Sequence, residues 1–212
     1  MLIAVLNQKG GVGKSTTAVH LARWLQRQGK AVHLADMDPQ QTGSFWLQAA
    51  DQFCIPCTVI PADSGAALDQ LPDLAAACDV LIVDGPAGLS DATRAVMLLA
   101  DLVLTPVQPA GADLRSVVDV LRLVLQARRV RGGPPEAAIF LNRATKGTRL
   151  LSEAREVIGQ LEGIRPLAQA ITQRQALTDC YSQATTVFEA GTGPALEAAA
   201  EYGRLFAELL NT

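Results

Sequence analysis

The chain alternates between short runs that are apolar throughout and longer runs in which apolar residues recur every three or four positions. LIAVL (Leu2–Leu6) is of the first kind and reads as a buried strand. Ser15–Gln28 is of the second: Ala18, Leu21, Ala22 and Leu25 fall at i, i+3, i+4 and i+7, and Gly29 follows as a helix stop. The same alternation predicts strands at Ala31–Asp36, Cys57–Pro61, Asp79–Pro86, Asp101–Pro109 and Glu136–Arg143, with a weaker one at Arg165–Ile171. Helices are predicted at Gly43–Asp51, Gly65–Ala77, Asp91–Ala100, Asp113–Arg129, Leu150–Leu161 and Pro194–Leu210. In the closing helix, Leu196, Ala199, Ala200, Leu205 and Leu209 read as the stripe that faces the core.

Strands that are apolar on both faces, each followed by a helix, imply a parallel sheet covered on both sides. The expected fold is therefore α/β, a doubly wound, mainly parallel sheet with helices on both faces. The 212 residues are expected to form a single domain, since Val130–Glu136 is too short to link two. Ligands of such sheets bind beyond the carboxyl ends of the strands. The chemically suggestive residues all fall there: Asn7–Ser15, Asp36–Pro39, Asp84–Pro86 and Asn142.

The stretch QKGGVGKSTTA (Gln8–Ala18) holds a phosphate-cradling motif between a strand and a helix. Gly10, Gly11 and Gly13 allow a tight turn and, with Val12, bring backbone N–H groups to an anion at the helix start. Lys14 is expected to reach the β- and γ-phosphates, and Ser15 to give its hydroxyl to Mg²⁺. Asp84 ends the apolar strand VLIVD, where a carboxylate holds Mg²⁺ directly or through water. Asp36 and Asp38 alternate along an extended segment and so point the same way. Asp36, nearer the strand, is a candidate for the Mg²⁺ shell; Asp38 is a candidate for orienting a water. The motif needs one lysine, yet the loop carries a second, Lys9.

Composition narrows the setting. No apolar run reaches the ~18 residues of a membrane span, and MLIAVLNQKGG reads as a first strand rather than a signal peptide. Cys54 and Cys57 have redox-like spacing but no second close pair and no histidine at ligand spacing, which favours reduced thiols. The net charge is −3, yet from Arg122 to Arg174 ten basic residues face four acidic ones, a surplus of six. That asymmetry suggests a basic patch for a polyanion.

KGGVGKST, DMDPQ and LIVDGPAG, in this order, resemble the deviant Walker A ATPases of the ParA/MinD group. ITQRQAL (Ile171–Leu177) makes the chain most similar to the small, ParF-like ParA proteins of plasmid partition. The resemblance implies an ATPase with ATP and Mg²⁺ as its cofactors. It implies that Lys9 is the signature lysine, crossing to the nucleotide of a second ATP-bound copy in a homodimer. It also implies that Asp38 is needed for hydrolysis, that Thr16 sits near the α-phosphate and that Asn142 hydrogen-bonds adenine. Such a dimer is expected to bind nonspecific DNA, with Arg143, Lys146, Arg149 and Arg174 as candidate contacts. It would sit on the nucleoid in the cytoplasm and answer to a ParB-like adaptor on plasmid, chromosome or carboxysome cargo. A MinD-like membrane role is disfavoured: PALEAAAEYGRLFAELLNT carries one arginine against three glutamates. Metal-cluster carriers and dethiobiotin-synthetase-like ligases share the sheet, but lack the paired-lysine loop or need cysteines elsewhere.

Overall fold

Residues 1–211 are described by the computed structural model, the side chain of Ala112 aside. The chain runs β1 (Leu2–Asn7), α1 (Lys14–Arg27), β2 (Val32–Asp36), α2 (Thr42–Ala49), β3 (Cys57–Val59), α3 (Ser64–Ala76), β4 (Val80–Ala87) and α4 (Asp91–Leu99). It continues through β5 (Leu102–Val107), α5 (Gly111–Arg131), β6 (Glu136–Leu141), α6 (Arg149–Gly159), β7 (Arg165–Pro166), α7 (Gln175–Ser182) and α8 (Gly193–Leu210).

The seven strands among the described residues form one sheet in the order β3-β2-β4-β1-β5-β6-β7, with every pairing parallel. β1 lies at the centre, between β4 and β5. The chain reverses its direction of travel there, so the loop after β1 opens at a topological switch point.

Alternate residues of β1 supply the two cores. Leu2, Ala4 and Leu6 pack with apolar residues of α3, α4, α5 and α6. Ile3 and Val5 pack on the other face with α1, α2, α7 and α8. On that second face an aromatic cluster joins the first helix to the last: the His20 ring stacks on Tyr202 with centroids 4.8 Å apart, and Trp24 lies 5.8 Å from Phe206.

Three sequence expectations are corrected. The buried stripe of α8 is Ala195, Ala198, Glu201, Tyr202, Leu205, Phe206 and Leu209; the expected Leu205 and Leu209 lie on it and Ala199 packs beside it, but Leu196 and Ala200 face outward. β7 is two residues long because the carboxylate of Glu208 on α8 takes the N–H groups of Ala168 (2.7 Å) and Gln169 (3.1 Å), lifting that segment off the sheet. The residues that then follow Ile171 form a helix, α7, that the polar sequence around Gln175 did not announce.

Candidate functional site

The loop between β1 and α1 is pinned from three strand ends. Gly88 after β4 donates its N–H to Gln8 O at 2.9 Å. Gln108 after β5 donates to Gly11 O at 3.3 Å. Asn142 after β6 donates through Nδ2 to Val12 O at 2.8 Å. A Cβ on Gly13, whose φ is +94°, would collide with that same Asn142 amide, so only glycine admits the brace. The result is a loop whose shape is set before any ligand arrives.

α1 opens on Gly13 with no capping side chain and no acidic residue in its first turn. Its leading N–H groups and the positive end of the helix are left available to an anion. Gly10, Gly11, Gly13, Lys14, Ser15 and Thr16 line one cleft of about 300 Å³, with Asp38 on its far wall. Val12 is buried behind it. Lys14 is buried, and its ammonium donates to Lys9 O at 3.4 Å. Burial lowers its pKa, with Asp84 and Asp38 opposing that shift.

Beneath the cleft lie two carboxylates. Asp36 is fully buried and its oxygens accept from Ser44 N at 2.7 Å and Asp38 N at 3.1 Å. Asp84 is fully buried too, but neither of its oxygens has a hydrogen-bond partner among the described residues. Burial pushes its pKa up to about 7, with Asp36 and Asp38 adding to the rise and Ser15 and Lys14 opposing it. Gly43 marks where the two groups meet: a Cβ there would stand 3.2 Å from Asp84 Oδ2 and 3.3 Å from Asp36 Oδ2. An orphaned carboxylate beside a hydroxyl and a second carboxylate suits a small hard cation that draws its remaining ligands from phosphate and water. Among the described residues no group of three His, Cys, Asp or Glu side chains is placed to hold a metal unaided.

Lys9 does not point into the cleft's interior. Its ammonium pairs with the carboxylate of Asp113 in the first turn of α5, and its N–H donates to Asn7 Oδ1 at 3.0 Å. Ser116 joins the same group, donating to Asp113 O at 2.6 Å. Asp113 had no signal in the sequence beyond its place at a helix start after β5. Asn142 is occupied by its own chain: besides the bond to Val12, its Oδ1 accepts from Arg143 N at 3.0 Å. One amide hydrogen remains, at the edge of a second cavity of about 290 Å³ beside Thr16.

The expected DNA contacts separate. Arg143 is exposed and borders both cavities. Arg149 is 91% exposed on α6, paired with Glu153. Lys146 is exposed, with its ammonium 2.9 Å from Glu201. Arg174 is the correction: its side chain is 9% exposed and turned inward onto Glu201 and Glu197, so it does not face a polyanion. Cys54 and Cys57 form no disulfide, and burial, with Asp36 and Asp84 adding, pushes the Cys57 thiol up to about 12, so it is no nucleophile.

The profile of the CobQ/CobB/MinD/ParA nucleotide-binding domain matches residues 3–187. The chain is 30% identical, over 98% of its length and 93% of the relative's, to a maintenance of carboxysome distribution protein A of Gloeobacter kilaueensis. It is 32% identical to the chromosome-partitioning ATPase Soj of Thermus thermophilus, in a match that spans 59% of this chain and only 62% of that relative. Among solved structures, a putative plasmid partition protein of Borrelia burgdorferi bound to AMPPNP superposes with a TM-score of 0.77, at 17% identity, over 99% of this chain and 98% of that one.

Proposed function

The chain belongs to the CobQ/CobB/MinD/ParA nucleotide-binding family, and from that premise we propose that it is a ParA-type ATPase that dimerises on ATP, binds DNA without sequence preference and positions cargo. The observation that carries this reading is the pairing of two lysines in one pinned loop with an orphaned carboxylate beneath it. Lys14 serves the triphosphate of its own chain. Lys9, paired at the rim with Asp113, is the group that would exchange that carboxylate for the nucleotide of a second copy. Its charge there stabilises the oxygens on which negative charge gathers during phosphoryl transfer.

Ser15, Asp84 and, behind them, Asp36 would hold Mg²⁺, whose chemistry is to neutralise and orient the phosphate oxygens. Asp38 orients the attacking water from the wall of the cleft. Thr16, the third residue of α1, faces the α-phosphate side. Asn142 offers its remaining amide hydrogen to the base. Exposed Arg143, Lys146 and Arg149 give each copy a cationic edge, and two copies joined by ATP double it, which makes DNA affinity follow nucleotide state. A cargo-linked adaptor that stimulates hydrolysis would release both. No helix among the described residues is long and apolar enough to cross a membrane.

The cargo has two readings. Similarity over almost the whole chain to a carboxysome-distribution protein favours a protein cargo; the similarity to Soj, over a shorter span, favours DNA partition. The test of the common reading is anisotropy of a labelled random-sequence duplex at low salt with no nucleotide, ADP or ATP and Mg²⁺. Binding is expected to tighten about tenfold or more with ATP, and joint removal of Lys146 and Arg149 is expected to erase the gain. DNA affinity indifferent to nucleotide would overturn it.

A further inference from the structure

A nucleotide whose phosphates lie on the loop has one direction left for its sugar and base. The phosphate cleft and the second cavity share Gly13, Thr16 and Arg143, so the nucleoside end enters the latter. Two irregular segments, Asn142–Arg143 after β6 and Gln173–Arg174 before α7, form part of its wall, and α7 from Leu177 to Ser182 with Tyr202 of α8 forms most of the rest. β7 has ended at Pro166, and beyond it the segments meet at the Ala144–Thr172 bridge, where Ala144 N donates to Ile171 O and Gln173 N to Ala144 O at 2.9 Å each.

One carboxylate ties the second of these segments to Lys146, just beyond the first. Glu201, on α8 and 2% exposed, accepts from Thr172 N and Thr172 Oγ1 at 2.9 Å each. It takes Arg174 Nη1 at 2.6 Å and Nη2 at 2.9 Å, and the Lys146 ammonium at 2.9 Å. Glu197 closes the outer side of Arg174 at 3.0 Å. Burial alone would raise the Glu201 pKa, but these donors, Arg174 foremost, outweigh it and hold the carboxyl at about 2. The group is charged at any working pH and is ligated by Arg174, which lines the cavity, and by Thr172 and Lys146 next to it.

We propose that Glu201 is a positioning residue for nucleotide binding: from outside the phosphate site it fixes the two segments that receive the nucleoside. Removing the carboxylate leaves the guanidinium of Arg174 buried without its main partner, and the wall must move to solvate it. The phosphate loop is held separately, since Asn142 is anchored through its own N–H to Val107 O at 2.7 Å. The effect is therefore specific to the nucleoside half of the ligand.

This inference rests on the nucleotide reading of the cleft, and the experiment separates the two. Calorimetric titration with ATP and with inorganic tripolyphosphate, both with Mg²⁺, is run on the parent, Glu201→Gln and Glu201→Ala. Glu201→Ala is expected to weaken ATP binding about tenfold or more while leaving tripolyphosphate binding unchanged, with Glu201→Gln between the two. Arg174→Lys, which keeps a charge but loses the forked contact, carries the same test if Glu201→Ala does not fold. Unchanged ATP affinity, or an equal loss for both ligands, would overturn the positioning role alone. A parent protein that binds neither ligand would overturn the nucleotide reading beneath it.

Discussion

The ammonium of Lys9 is paired with the carboxylate of Asp113, 104 residues further along the same chain. The loop lysine is thus held at home by the first turn of α5. Any visit to a second copy must exchange that carboxylate for phosphate oxygens. Lys9 is partly exposed but Asp113 is buried, so the exchange costs on the order of 1 kcal/mol.

Asp113→Asn is therefore expected to tighten the ATP-bound dimer by about two- to fivefold, and Lys9→Ala to abolish it. Sedimentation velocity with a nonhydrolysable ATP analogue over a range of protein concentrations reads both. A Lys9→Ala protein that still pairs would mean that this lysine does not cross.

Asp84 is a buried carboxyl whose pKa burial lifts to about 7, and above that pH its charge has no hydrogen bond to answer it. Asp84→Asn removes that charge and keeps the shape. At pH 8, without ligand, the variant is expected to be more stable than the parent by about 2–4 kcal/mol. Addition of Mg²⁺ and ATP should then raise its melting temperature less than it raises the parent's. Chemical denaturation and thermal melts measure the two halves. A variant less stable than the parent would show that the carboxylate already has a partner.

His20 is buried with its Nδ1 2.7 Å from Thr16 O and its Nε2 accepting from Val187 N at 3.2 Å. Burial lowers its pKa to about 4, against the opposing bond to Thr16 and the charge of Glu189. The unfolded chain binds the proton more readily, so this stabilisation is complete above about pH 6.5 and is lost as pH falls towards 4. The loss amounts to about 3 kcal/mol. Asp84 tilts the other way in the same window, because its raised pKa makes acid favourable. The comparison is therefore best made in the Asp84→Asn background, by urea unfolding at pH 7 and pH 4.5. His20→Asn should flatten the slope there; an unchanged slope would place the titration elsewhere.

The sheet, its parallel sense and the clustering of Lys14, Ser15, Asp36, Asp38 and Asp84 were legible because each depends on local pattern. An apolar run, a glycine turn and an acid at a strand end all sit within a few residues of one another. What was not legible depends on pairs far apart in the chain. Asp113 looked like any first-turn acid until α5 brought it against Lys9. Arg174 looked like part of a basic patch because nothing near it in sequence announces Glu201. One signal was available: Glu201 falls on the helical stripe of Ala198, Leu205 and Leu209, and a glutamate on a buried stripe demands a cation. Reading that stripe through Leu196 and Ala200 hid it. The weak seventh strand was cut short for the same reason, since Glu208 competes for its backbone from 40 residues away.

The stacking of His20 on Tyr202 and of Trp24 against Phe206 has a bearing on how the protein is made. The helix that presents Lys14 leaves the ribosome early, with one face bare until α8 emerges. A nascent chain stalled short of Tyr202 would carry the complete phosphate-loop motif but an unsealed helix behind it. The first helix thus gains its full packing only when the last helix is in place.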